Sequence, residues 1–154
     1  MSIYFLDSSA LVKRYVVEAG TPWIQQLADP RQHNQLIIAR ITWVEVLSAF
    51  ARRQREGSFS VVDTGKSIQA FRYDLDMQYQ VVEFTQTLAE RAGQLVHKHF
   101  IRAYDAVQLA SAMQIQAAFK PTESTALVFV TADDRLLAIA QTEGLLTDNP
   151  NHHP

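Results

Sequence analysis

The chain has 154 residues, of which 47% are hydrophobic and 19% are charged, and its formal net charge is −2. This size suits one domain with one substantial core, and the charge argues against a protein that coats nucleic acid through a strongly basic surface. No apolar run approaches the roughly 18 residues of a membrane span, so we expect no membrane association. The N-terminus shows no pattern of a secretory signal, and the cytoplasm is the default location that we expect. The absence of cysteine excludes disulfides, zinc–thiolate sites and thiol nucleophiles.

Strands and helices are predicted to alternate along the chain. The hydrophobic pattern predicts four strands, at residues 3–6, 35–39, 81–84 and 126–131. Helical spacing and end signals predict helices at residues 8–18, 21–29, 42–56, 60–79, 85–100, 104–119 and 133–143. We expect a loop at 121–125, a single domain over residues 1–147 and a flexible tail over residues 148–154.

The predicted strands carry their apolar residues in unbroken runs. The first strand, at residues 3–6, reads Ile-Tyr-Phe-Leu with no polar residue in between. Such runs are typical of strands that are buried on both faces, as in the centre of a parallel sheet. Together with the alternating helices, they predict an α/β domain of three layers, with a central, mostly parallel sheet and helices on both faces.

Four acidic residues stand where a predicted helix begins: Asp7, Glu45, Asp105 and Asp133. Taken singly, each acid has a structural explanation. Asp7 can cap the helix that follows it, and Glu45 can complete a capping box with Thr42. Asp105 falls in a first turn, where the helix dipole favours negative charge. Thr131 can cap the last helix, which leaves Asp133 in the first turn of that helix.

Taken together, the acids indicate a site, because helices that follow parallel strands begin at the same edge of the sheet. Asp105 opens a helix preceded by a helix, so the pattern alone leaves its position open. Carboxylates that share a cleft repel one another, and this implies a bound cation. Oxygen ligands without cysteine favour Mg²⁺ or Mn²⁺, as one ion or two, and phosphodiester hydrolysis is the reaction that such ions support.

Four segments carry a resemblance to a known family. Each contains one of the acids, and in chain order they are residues 5–13, 42–46, 102–110 and 130–133. In this order within one small domain, they resemble the motifs of the PIN-domain family and, within it, of the VapC-type toxins of type II toxin–antitoxin (VapBC) modules. The resemblance implies a PIN-like fold and places Asp105 at the same edge as the other three acids.

The resemblance also implies a function and partners. It implies an endoribonuclease in which the four acids hold Mg²⁺ or Mn²⁺ and activate water. Ser8 and Thr131 would orient the ligands or the water, and the fourth acid is Asp133 or its neighbour Asp134, with the family spacing favouring Asp133. The toxin would be a homodimer, inhibited by a VapB-like antitoxin that covers the cleft. Basic residues that could contact RNA phosphates or the antitoxin are Lys13, Arg14, Arg52, Arg53 and Arg55.

Other functions remain compatible with the sequence. One is an RNA- or protein-interaction module on the same fold, for which metal would neither stabilise the protein nor support cleavage. Another is a PIN nuclease that processes RNA or cleaves DNA. Within the ribonuclease hypothesis, the low net charge favours selective contact with a structured RNA, single-stranded at the cut site, over general RNA digestion.

Overall fold

The computed structural model describes residues 2–119 and 126–154. Its sheet contains five strands: β1 (Ile3–Leu6), β2 (Gln35–Ala39), β3 (Tyr79–Val82), β4 (Leu127–Val130) and β5 (Leu146–Asp148). The strand order is β3-β2-β1-β4-β5, and every neighbouring pair is parallel. The predicted α/β class with a central parallel sheet is therefore confirmed. The loop predicted at 121–125 lies outside the described residues.

Helices connect these strands. In the described residues they are α1 (Ser8–Leu11), α2 (Thr21–Ala28), α3 (Thr42–Arg55), α4 (Val61–Met77), α5 (Gln86–Lys98), α6 (Ala103–Ala118) and α7 (Asp134–Thr142). Short 3-10 helices lie at Val12–Arg14, Pro30–Gln32 and Pro150–His152. None of the helices in this part of the chain is both long and apolar enough to span a membrane.

The sheet separates two hydrophobic cores. Helices α1 to α4 pack on one face together with Leu6, whereas α5 to α7 pack on the other face together with Phe5. On that second face, Phe5 stacks on its register partner Phe129 of the neighbouring strand β4, with ring centroids 5.7 Å apart. Because successive residues of a strand point to opposite faces, an unbroken apolar run supplies both cores at once. The predicted three-layer arrangement is confirmed.

The first helix is shorter than the predicted range of 8–18. Helix α1 has four residues, and a 3-10 helix at Val12–Arg14 follows it. The hydroxyl of Tyr15 donates to Asp74 Oδ2 (2.7 Å) and lies 2.6 Å from the hydroxyl of Tyr79. These contacts with residues far along the chain override the local helical preference, and sequence spacing could not predict them.

The third strand begins two residues earlier than predicted. Helix α4 ends at Met77, and β3 starts at Tyr79, which pairs with Leu36 of β2. Tyr79 is buried, and its ring lies against that of Phe71 with centroids 6.2 Å apart. The sequence pattern places Tyr79 at the end of the helix, whereas its pairing with Leu36 and the burial of its ring place it in the sheet.

The C-terminal segment contains strand β5, which the sequence pattern does not predict. A flexible tail over residues 148–154 is the expectation from the sequence. In the structure, Asn149 is buried and its Nδ2 donates to Asp134 Oδ1 (2.7 Å), while the ring of His153 stacks on that of Trp23 at 4.1 Å. A three-residue edge strand carries too little pattern to be recognised, and its supporting contacts come from distant residues.

Candidate active site

The carboxyl ends of β1 and β4 lie at the centre of the candidate site. The two strands are neighbours, but the chain continues from β1 to β2 on one side and from β4 to β5 on the other. In open parallel sheets, such a switch point creates a crevice in which ligands bind. The N–H of Asp7 donates to the carbonyl of Val130 (3.1 Å), so the pairing of the two strands continues up to Asp7.

Asp7 is buried in this crevice, with 3% of its surface exposed. It caps α1, and its Oδ1 accepts hydrogen bonds from Ala10 N (3.0 Å) and Ser9 Oγ (2.7 Å). The same Ser9 hydroxyl accepts a bond from Ala132 N (2.9 Å) and lies 3.4 Å from Thr131 Oγ1, which links the ends of β1 and β4. Burial raises the pKa of Asp7 to about 6, against the opposing effect of the hydroxyls and the backbone N–H.

Glu45 is held by a residue of another helix. Helix α3 begins after Ile41 without a side-chain cap, so the capping box expected between Thr42 and Glu45 is not formed. Instead, Gln108 Nε2 of α6 donates to Thr42 Oγ1 (2.8 Å) and to Glu45 Oε1 (2.8 Å). Burial raises the pKa of half-buried Glu45, while hydrogen bonds from Gln108 and Ser8 oppose the rise.

Asp105 lies at the electrostatic centre of the cluster. Its negative charge contributes to the raised pKa of both Asp7 and Glu45. The pKa of Asp105 is itself raised by burial and by the charge of Asp133, with a smaller opposing effect from Arg102. Asp105 therefore interacts with each of the other three acids, although its helix follows another helix.

Asp133 caps the last helix. Its Oδ1 accepts hydrogen bonds from Arg135 N (2.9 Å) and Leu136 N (3.3 Å), and its own N–H donates to Thr131 Oγ1 (3.1 Å). The expectation that Thr131 caps this helix is therefore wrong, because the residue at the helix start is Asp133. Thr131 instead holds the backbone that presents Asp133.

Asp134 has different surroundings from its neighbour. Its Oδ1 accepts a hydrogen bond from the buried Asn149 (2.7 Å), which directs the side chain toward the C-terminal segment. Asp133, by contrast, lines a small hollow together with Asp105. Of the two candidates for the fourth acid, the geometry brings Asp133 to the cluster.

A wider groove of about 680 Å³ adjoins the acids and contains part of the predicted basic surface. Its walls include Glu45 together with Lys13, Arg52 and Arg53. Glu18 pairs with Lys13 (3.4 Å) and with Arg53, so part of this positive charge is balanced. The remaining charge lies on the exposed Arg52.

Two of the predicted basic residues do not line the groove. Arg14 donates to Gln78 Oε1 (2.9 Å) and to the hydroxyl of Tyr79 (2.6 Å), so it supports the packing of α4 and β3. Arg55 is exposed near the end of α3, beyond the residues that form the groove walls. The cluster seen in the sequence is thus divided between the groove and other surfaces.

The donor atoms of the site suit a hard divalent cation. The four acids offer carboxylate oxygens, which Mg²⁺ and Mn²⁺ prefer, and burial raises the pKa of three of them. A cation would offset this concentration of negative charge. Within residues 2–119 and 126–154, however, no three His, Asp or Glu side chains are grouped closely enough to hold a metal ion. The donor chemistry fits the ion, and the carboxylates would have to move closer to bind it.

Gln108 is a residue of the site that the sequence pattern does not predict. It is 1% exposed, and its Oε1 is buried without a hydrogen-bond partner in the described part of the chain. The available signal is its position three residues after Asp105, which places both on one face of α6. That signal alone does not separate a site residue from a buried polar residue of the core.

Comparison with known proteins bears on these observations. A family model described as PIN domain matches residues 4–141. The chain belongs to the PIN domain family. The resemblance found in the sequence motifs is thereby confirmed.

Individual relatives of this PIN domain include ribonucleases. Ribonuclease VapC45 of Mycobacterium tuberculosis (strain CDC 1551 / Oshkosh) is 29% identical over 115 residues, which span 75% of this chain and 78% of the relative. Ribonuclease VapC49 of Mycobacterium tuberculosis (strain ATCC 25618 / H37Rv) matches with the same identity and coverage.

Solved structures share the fold. A toxin–antitoxin complex from Klebsiella pneumoniae matches with a TM-score of 0.63 and 18% identity, covering 97% of this chain and 98% of that chain. VapBC2 from Rickettsia felis, bound to a DNA fragment from their promoter, matches with a TM-score of 0.60 and 14% identity, covering 96% of this chain and 98% of that chain. The predicted PIN-like α/β/α fold is confirmed by these similarities.

Proposed function

We propose that this chain is an endoribonuclease that hydrolyses RNA phosphodiester bonds with Mg²⁺ or Mn²⁺, and that it is the toxin of a VapBC-type module in the cytoplasm. The observation that carries the proposal is that the acids meet at one edge of the sheet: Asp7 follows β1, and Asp133 follows β4 and lines one hollow with Asp105. The charge of Asp105 also contributes to the raised pKa of Asp7 and of Glu45. Membership in the PIN family and the similarity to two mycobacterial ribonucleases support RNA as the substrate.

The four acids would hold the cation, and the chain orients them with neutral donors. Ser9 and a backbone N–H fix one oxygen of Asp7, while Gln108 and Ser8 orient Glu45. A bound divalent ion supplies positive charge to the phosphate and promotes ionisation of the attacking water. These donors leave each carboxylate with its negative charge, which the cation requires.

The wider groove is the proposed path of the RNA strand. Arg52 is exposed there, and Lys13 and Arg53 line the same walls. Positive side chains of this kind neutralise backbone phosphates and hold the strand without reading its sequence. Glu18 pairs with Lys13 and Arg53 and so reduces the positive charge of the groove. The lower charge weakens the attraction of RNA phosphates, which agrees with brief binding of a selected RNA.

The proposed partners are a VapB-like antitoxin and a second copy of the chain. The fold neighbours include structures described as toxin–antitoxin and VapBC complexes, and this supports an antitoxin as the regulator. An antitoxin segment that occupied the groove would cover the basic residues and Glu45 together, and so would block access of RNA to the acids.

One observation favours a second candidate, an RNA- or protein-interaction module with weak or no catalysis. In the described residues, the acids are not grouped tightly enough to bind a metal ion as they stand. Such a module would use the groove for binding, and the acids would serve as helix caps and first-turn charges. It differs from the proposed nuclease in requiring no metal.

The test is cleavage of a pool of labelled cellular RNAs by the purified protein, with Mg²⁺, with Mn²⁺ and with a chelator. The Asp105→Asn variant is compared in parallel, because it removes the central charge and keeps the side-chain shape. The matched control is Asp76→Asn, which makes the same change at an exposed position of α4. We expect metal-dependent cleavage by the wild type and the control, and none by Asp105→Asn.

The other outcomes separate the candidates. Equal cleavage by the wild type and Asp105→Asn would indicate a contaminating nuclease. RNA binding without cleavage under any metal condition would support the interaction module. Cleavage that persists fully in the chelator would exclude metal dependence.

A further inference from the structure

Phe100 is a large apolar side chain that the fold leaves in water. It lies in the connection between α5 and α6, and 83% of its surface is exposed. A single exposed apolar residue is common on protein surfaces and has no meaning by itself. The surroundings of Phe100 suggest a role for it, because they contain Asp105 and Asp133 of the candidate active site.

The ring forms a stacked pair beside the acids. The guanidinium carbon of Arg135 lies 4.2 Å from the ring centroid of Phe100. Both side chains line a hollow of about 90 Å³, and the other walls of this hollow include Asp105, Asp133 and Arg102. An aromatic face, two guanidinium groups and two of the four acids therefore meet in one small space.

We infer that Phe100, together with Arg135, is a stacking site for one nucleobase of the RNA, next to the phosphate that is cleaved. The inference rests on the proposed nuclease function, which places that phosphate at Asp105 and Asp133. Unpaired RNA bases stack on aromatic rings and on guanidinium planes, and every base has such a face. The hollow is too small to enclose a nucleotide, so the base meets the ring at the open side.

The charges beside the ring favour RNA over a protein partner as its occupant. Arg102 and Arg135 flank the ring, and both are exposed. A nucleotide fits this arrangement, because its base can stack on the ring of Phe100 while its phosphate binds the guanidinium groups of Arg102 and Arg135. Tyr104, which is 61% exposed, lines the wider groove together with Glu45 and Arg52, so that groove also offers an aromatic ring beside basic side chains.

The test measures the affinity of a labelled single-stranded RNA oligonucleotide for the wild type and for Phe100→Ala, in a chelator that prevents metal-dependent cleavage. Loss of one base–aromatic stack weakens binding roughly 5- to 150-fold. Phe100→Trp is expected to restore the affinity. Tyr73→Ala, which removes a 65% exposed ring of α4 outside both hollows, is the matched control and is expected to bind like the wild type.

A series of oligonucleotides with one abasic position at a time separates stacking from an indirect effect. Removing the base that stacks on Phe100 should weaken binding to the wild type and have no further effect on Phe100→Ala, because the lost contact is the same. An indirect effect of the substitution would leave the two changes additive.

The inference and the proposed function can fail separately. Equal RNA affinity of Phe100→Ala, Tyr73→Ala and the wild type overturns the stacking site, and a protein partner would then be the better occupant of this surface. Absence of RNA binding by the wild type also overturns it. The proposed function is judged by metal-dependent cleavage alone, which is measured on the same preparations.

Discussion

Replacement of Asp7 by Asn should stabilise the metal-free protein at neutral pH. Burial raises the pKa of this carboxyl from the ordinary 3.8 to about 6. A tenfold change in an ionisation constant corresponds to about 1.4 kcal/mol, so the ionised side chain destabilises the fold by about 3 kcal/mol at pH 7. Asn carries no charge, and its amide oxygen can accept the same bonds from Ser9 and from the N–H of Ala10.

The raised pKa of Asp7 also determines how the stability difference between the wild type and Asp7→Asn changes with pH. Because the pKa of Asp7 is higher in the folded state than in the unfolded state, its stabilising contribution is complete below pH 3.8 and is lost as the pH rises through about 6. The advantage of Asp7→Asn should therefore grow from about 0.5 kcal/mol at pH 4 to about 3 kcal/mol at pH 7.

Urea unfolding in a chelator at pH 4 and pH 7 measures these differences, with Asp76→Asn as the control for an exposed acid. Addition of Mg²⁺ should stabilise the wild type and leave Asp7→Asn nearly unchanged, because only the wild type keeps the full set of acids. An Asp7→Asn variant that is no more stable than the wild type at pH 7, or whose advantage does not change with pH, would refute the reasoning.

Three further predictions concern the contacts around the acids. Gln108→Leu leaves Glu45 without its amide donor, and cleavage should fall about 10- to 100-fold, measured with saturating metal against the wild type. Asp133→Asn should abolish cleavage whereas Asp134→Asn retains it, because the side chain of Asp134 is directed to the C-terminal segment; equal loss in both would contradict this assignment. Arg52→Ala should weaken RNA binding and reduce the slope of affinity against salt concentration by about 1, as measured by titration at several ionic strengths.

The sequence predicts the layers of the fold and three of the helix-start acids because local pattern determines them. The unbroken apolar run of β1 requires burial on both faces, and Asp7 follows this run directly. Asp105 could be placed only through the family resemblance, since its helix follows another helix. The pattern does not predict Gln108 as a support of Glu45, because that contact joins residues 63 positions apart. Asn149 and the edge strand β5 escape prediction for the same reason.

The acids of the candidate site differ from the ion-paired carboxylates of the chain in the partners that they receive. Asp74 lies 3.4 Å from Arg14, and Glu143 lies 2.8 Å from Lys98, so these carboxylates are balanced by cations. In residues 2–119 and 126–154, none of the four site acids forms such an ion pair.

The donors that contact Asp7 and Glu45 are hydroxyl, amide and backbone N–H groups, which orient a carboxylate without cancelling its charge. The chain contains 14 Lys and Arg residues, so cations for pairing are present in its composition. Carboxylates that are oriented but not neutralised cost stability when they share a crevice. A bound divalent cation offsets this cost. Such a site would therefore bind a metal ion more strongly than a site whose carboxylates are already neutralised by Lys or Arg side chains.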